Sequence, residues 1–208
     1  MTRTLFAALA LACGAAHLPP AFAQPAAATA AESSRELLNS ERIERAFGSY
    51  GIEVIESDAR VRVSNLYSEE QGGTRVCRTF AVVLYPAAVD PAFALEHAAI
   101  VAGRSIGATF AESGWTVVKT HRYFGEIDST PRLARLMGGA VEQRLAVHVY
   151  EFEIVKGGRR FAYATIAEAH HPDYLRLENV REIYGAGLEL AAVPDDETQR
   201  LLELVAAK

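Results

Sequence analysis

The tetrapeptide Lys156-Gly157-Gly158-Arg159, set between two long runs rich in aromatic and β-branched residues, constrains the fold more than any other part of the chain. Paired glycines supply the positive φ of a tight two-residue turn, and the flanking runs, 143–155 and 159–170, read as its two strands. With Gly157-Gly158 as the loop, Ile154 pairs with Phe161, Phe152 with Tyr163 and Tyr150 with Thr165. A hairpin of this length is not stable alone, so the rest of the chain must supply a sheet around it and helices over its apolar face.

Four further strands are expected at 51–57, 59–68, 74–85 and 115–125, with Glu69-Glu70-Gln71-Gly72-Gly73 as the turn of a second hairpin. Arg60, Val61, Arg62 and Val63 alternate, so one face of that hairpin is apolar. The expected register groups Val61 and Val63 with Val76, Phe80 and Val82, and puts Cys77 on the other face beside Arg62 and Arg75.

Helix signals separate the strands. Ser33 and Glu36 form a capping box ahead of Leu37, Leu38, Ile43 and Phe47. The longest predicted helix runs from Pro91 to about Ser113, with Asp90 as N-cap, Gly114 as stop and a Leu95, Ala99, Ala102, Ile106, Phe110 stripe. Its many small residues allow close approach to a sheet. Shorter helices follow from Thr130-Pro131 through Met137, from Pro172-Asp173 through Tyr184, and from Asp195 to Val205. The order predicts an α+β domain over 33–208: an antiparallel sheet of about six strands packed by a long central helix and shorter terminal helices.

At the amino end, Arg3, the apolar run Leu5 to Ala12 and the Ala21-Phe22-Ala23 cleavage pattern read as a bacterial secretory signal peptide over 1–23, followed by a leader over 24–32 with no large apolar side chain. A periplasmic or secreted protein is expected, with a lipoprotein anchored through Cys13 as the alternative. Cleavage after Ala23 leaves Cys77 as the only thiol, so no intramolecular disulfide is available. No later stretch approaches the roughly 20 apolar residues of a membrane-spanning helix. The formal net charge of −5 disfavours nucleic acid as a partner.

No Gly-x-Ser-x-Gly elbow, His-Glu-x-x-His, Walker loop or Cys-x-x-Cys occurs, and no cofactor is expected. The leading expectation is therefore a non-catalytic binding or accessory domain for a protein or small molecule. Arg60, Arg62, Arg75 and Arg78 offer an anion-binding face, because guanidinium groups pair bidentately with carboxylates and phosphates. The alternative is a metal-binding protein or metal-assisted hydrolase. Within Glu168-Ala169-His170-His171-Pro172-Asp173, alternation sets Glu168 and His170 on one strand face, with His171, Asp173 and His148 as further candidate ligands. His171-Pro172-Asp173 equally suits a strand-to-helix corner, and His148, alternating with Tyr150 and Phe152, suits a core or groove position. Cys77, flanked by Arg75 and Arg78, is either a reactive thiol or a small buried hydrophobe.

The carboxyl third, from Glu151-Phe152-Glu153-Ile154-Val155 through the glycine turn to Phe161-Ala162-Tyr163 and the helix at Asp173, resembles the closing hairpin and helix of PsbP-like sandwich domains. The likeness is topological and implies an accessory binding role without assigning a residue.

Overall fold

The computed structural model describes residues 37–188, 190 and 193–207. The segments read as a signal peptide and leader, Cys13 and the expected Ser33/Glu36 cap lie outside the described residues. Six strands, β1 (Gly51–Ser57), β2 (Val61–Glu69), β3 (Arg75–Leu84), β4 (Thr116–Asp128), β5 (Arg144–Lys156) and β6 (Arg159–His170), form one sheet in the order β1-β2-β3-β6-β5-β4. Every neighbouring pair is antiparallel. Two three-stranded meanders thus meet at β3 and β6, and the α+β architecture with about six strands is as expected.

Helices α1 (Asn39–Phe47), α2 (Ala94–Val101), α3 (Ile106–Glu112), α4 (Pro131–Met137), α5 (Leu177–Tyr184) and α6 (Asp196–Ala207) cover the sheet. On one face, α4 and α6 bury Leu133, Met137, Leu201 and Val205 against Val63, Phe80, Val82, Val147 and Val149. On the other, α2 and α3 close an aromatic cluster of Phe93, Phe110, Trp115, Phe152 and Tyr163, whose rings meet mostly edge to face. Helix α5 packs Val180 and Tyr184 on Phe124 and Ala146, and α1 packs Ile43 on Leu66 and Ala81. The first face is largely apolar, whereas the second has a gap beside the starts of α1 and α3.

Local signals explain the shorter helices. Thr130 Oγ1 accepts from Leu133 N, with Pro131 at the first helical position and left-handed Gly138 at the end. Asp90 Oδ1 accepts from Ala92 N as expected. The long central helix, however, is not continuous. A 3-10 turn over Pro91–Phe93 leads into α2, and the chain breaks at residues 102–105 before α3. Gly103 at φ +112° makes that break, and Ser105 O receives Thr109 N as the next helix opens. The expected stripe accordingly splits: Phe110 is buried but Leu95 is 86% exposed. At Gly107 a Cβ would fall 2.7 Å from the Leu38 side chain, so the close approach that this small residue allows is to the start of α1 and not to the sheet.

Two strand registers differ from expectation by one residue, each at a β-bulge. In β5–β6, Ile154 pairs with Phe161 as expected, but Phe152 pairs with Ala164 and Tyr150 with Ile166, because Tyr163 is an extra residue. In β2–β3, Val63 pairs with Val82, but Arg78 is the extra residue between the Leu66–Thr79 and Tyr67–Cys77 pairs. Since side chains alternate with period two, each bulge exchanges the faces of everything beyond it. Among the described residues, no helix is long and apolar enough to cross a membrane.

Candidate functional site

The bulge at Tyr163 carries Glu168 and His170 onto the face that holds His148. One row across the sheet then reads Ser64, Ala81, Glu168, His148, and the next reads Leu66, Thr79, His170, Ala146. His148, Glu168 and His170 are all buried, and one potential donor atom from each lies within 4.8 Å of the others.

A hydrogen-bonded shell holds this trio. Asn39, at the start of α1, donates through Nδ2 to Glu168 Oε1 (3.1 Å) and to Thr79 Oγ1 (3.2 Å), while its Oδ1 accepts from the Tyr174 hydroxyl at 2.6 Å. Thr79 Oγ1 is 3.0 Å from His170 Nδ1, and His121 Nδ1 is 2.7 Å from His148 Nε2. The His148 ring also stacks on Tyr184, with centroids 4.5 Å apart. Each buried imidazole therefore has one nitrogen engaged. The other, His148 Nδ1 or His170 Nε2, has no hydrogen-bond partner.

An unpaired lone pair is cheaper to bury than an unpaired N–H, which favours the tautomers with the proton on His148 Nε2 and His170 Nδ1. Burial pushes both imidazoles below the ordinary histidine range. For His170 the Lys119 and Arg42 charges add to burial and the pKa falls to about 3. For His148 the neighbouring His121, His170 and Lys119 act in the same direction. Both rings are neutral at physiological pH.

Beside the trio is a cavity of about 60 Å³, open to solvent on one side and bounded by β1, β2, β3, β4, β5, β6, the start of α1 and the start of α3. Apolar side chains (Ile52, Leu66, Val83, Phe152, Ile166) make up much of the wall. Among the described residues that line it, Arg62 and Lys119 are the cations and Glu168 is the acid. Arg62 is only 1% exposed. Its Nε donates to Ser64 Oγ (2.9 Å) and its Nη1 to the carbonyls of Ile100 (2.8 Å) and Arg104 (2.9 Å), so the guanidinium holds the break between α2 and α3. Its Nη2 has no hydrogen-bond partner.

The four arginines read from the sequence do not form one face. Arg62 lies at the cavity. Arg78 is buried over the Phe47 ring, with Nε on Ser68 Oγ and Nη2 on Glu70. Arg75 is exposed beside Glu69 and Tyr67, and Arg60 is exposed at the β1–β2 turn. Alternation alone would have put Arg75 on the face of Arg62, and the bulge at Arg78 turns it to the other. The same bulge turns Cys77 into the apolar cluster with Phe80 and Val82, where burial pushes its thiol up to about 12. Cys77 is the small buried hydrophobe.

Of the other candidate ligands, His171 and Asp173 do not join the trio. His171 Nδ1 accepts from Asp173 N, and the His171 carbonyl receives Tyr174 N and Leu175 N, so these residues build the corner. Asp173 is exposed, and α5 begins only at Leu177. Asn39, Thr79, Lys119 and His121 carried no sequence signal. They come from three separate elements, α1, β3 and β4, and meet only through the bulged sheet.

No family model matches the chain, and no curated protein matches it. Among solved structures, the ligand-binding domain ascribed to a GntR-family transcriptional regulator from Bordetella bronchiseptica is similar at a TM-score of 0.39 and 13% identity, over 61% of this chain and 87% of that one. The C-terminal domain of Yurk from Bacillus subtilis is similar at a TM-score of 0.35 and 11% identity, over 61% of this chain and 89% of that one. Likenesses of this size establish neither a shared fold nor a shared function.

Proposed function

We propose that this protein is a non-catalytic binding domain that takes a small anionic ligand, a carboxylate or a comparable monoanion, in the cavity beside Arg62. The buried Arg62 guanidinium supports this most directly. Burying a cation is costly unless it is paired and hydrogen-bonded. Arg62, a residue of the cavity wall near the Tyr85 hydroxyl, has three hydrogen bonds to neutral groups, no carboxylate partner among the described residues, and an Nη2 that meets no hydrogen-bond acceptor in good geometry. A ligand carboxylate would supply the missing acceptor and the missing charge. The volume, about 60 Å³, suits a charged headgroup with its remainder directed along the apolar wall toward the opening. A periplasmic or secreted working place is part of the same proposal and rests on the signal pattern of residues 1–23.

Thermal melts with small carboxylic acids and their isosteric amides test the proposal. The acids are expected to raise Tm saturably and the amides to leave it unchanged. Ala81→Val, which places two methyl groups in the cavity without touching Arg62, is expected to abolish the shift while leaving the unliganded protein folded. Equal shifts with acids and amides, or an undiminished shift in the Ala81→Val variant, would contradict it.

A further inference from the structure

We infer that His148, Glu168 and His170 form a binding site for one divalent first-row transition-metal ion of the zinc class. Two imidazoles and a carboxylate are a donor set such ions accept, with a fourth position left to water or a ligand. Three independent observations converge on it. The donors lie within 4.8 Å of one another. With bonds of about 2.0–2.2 Å, the set closes on an ion after side-chain shifts of about an ångström. Second, His148 Nδ1 and His170 Nε2 are buried without a partner, and a metal bond is the interaction that a buried lone pair of this kind can make without a proton. Third, the remaining polar atom of each donor is already engaged as a metal's outer shell requires: His148 Nε2 with His121, His170 Nδ1 with Thr79, and Glu168 Oε1 with Asn39. Such bonds fix the tautomer and the ring orientation before the ion arrives.

Glu168 also lines the cavity, which gives the ion its path from solvent and leaves the open coordination position on that side. The ion would occupy its own ligands and does not require the anion beside Arg62.

The full-length chain, purified without a polyhistidine tag and stripped with chelator, is titrated with Zn²⁺ by calorimetry and with Co²⁺ by visible absorption, in a buffer free of organic acids. One equivalent per chain is expected, with Co²⁺ bands characteristic of four- or five-coordinate nitrogen and oxygen ligation. Glu168→Gln, which keeps the acceptor for Asn39, and the single variants His148→Gln and His170→Gln are each expected to weaken binding at least about 10-fold while circular dichroism stays unchanged. Absence of saturable binding by either ion in the wild-type protein overturns the inference, as does wild-type affinity retained in any of the three variants. Anion binding with no metal binding would leave the Arg62 proposal standing, and metal binding with no anion binding the reverse.

Discussion

His148 and His170 are each 0% exposed and each neutral, and both facts make them a stability switch. In the folded chain their pKa values lie below the ordinary value of 6.5, His170 at about 3. The unfolded chain takes up those protons from about pH 6.5 downward. Their contribution is therefore complete above that pH and is lost as the pH falls toward 3, at up to about 1.4 kcal/mol per pH unit for each ring. Urea midpoints measured between pH 7.5 and pH 5 are expected to fall more steeply for the wild type than for a His148→Gln/His170→Gln double variant. Equal slopes would show that the rings titrate normally. The sequence showed that Glu168 and His170 share a strand face and that His148 faces a groove or core. Which nitrogens would be left unpartnered was not legible, because that depends on Thr79 and His121, far from the histidines in sequence.

At the scale of elements, the break between α2 and α3 shows how a strand residue can override a helix signal. Residues 91–113 carry the N-cap, the proline and the terminal glycine of one helix. Yet Gly103 adopts a left-handed conformation, and the carbonyls of Ile100 and Arg104 are taken by a guanidinium from β2. Nothing local announces that a side chain 38 positions earlier will supply the cap. Arg62→Met removes three hydrogen bonds from a charged donor and takes the side-chain partner of the Arg104 carbonyl, while Ile100 O keeps Gly103 N, so a loss of about 3 kcal/mol in unfolding free energy is expected. Amide exchange is expected to quicken first around residues 100–105. A loss below about 1 kcal/mol would mean that the break is held by Gly103 and Ser105 alone. The bulges at Arg78 and Tyr163 were equally hidden, since the runs containing them alternate as ordinary strands do. Turn chemistry set the register of the hairpin only as far as Ala162, and the packing of Tyr163 against Phe93 and Phe110 coincides with the change beyond it.

For the whole molecule, fold class and the two glycine-turn hairpins followed from the spacing of turns and the alternation of apolar residues, whereas the strand order came only from the structure and the site from which face each strand end presents. A single inserted residue in β6 decides that. Without it, Glu168 and His170 would exchange places with Ala167 and Ala169, and the apolar contact of α4 and α6 would meet a carboxylate and an imidazole. With it, one face holds the main aliphatic core and the other the buried His148, Glu168 and His170, the cavity and Arg62. The most direct test is the set of ring-to-ring nuclear Overhauser contacts of the two histidines in the folded protein. Contacts of His148 with Tyr150 and Tyr184, and of His170 with Tyr174, are predicted from centroid separations of 4.6, 4.5 and 5.9 Å. A His170 ring in contact instead with the side chains of Leu145 and Leu201 would place it on the opposite face and contradict the account.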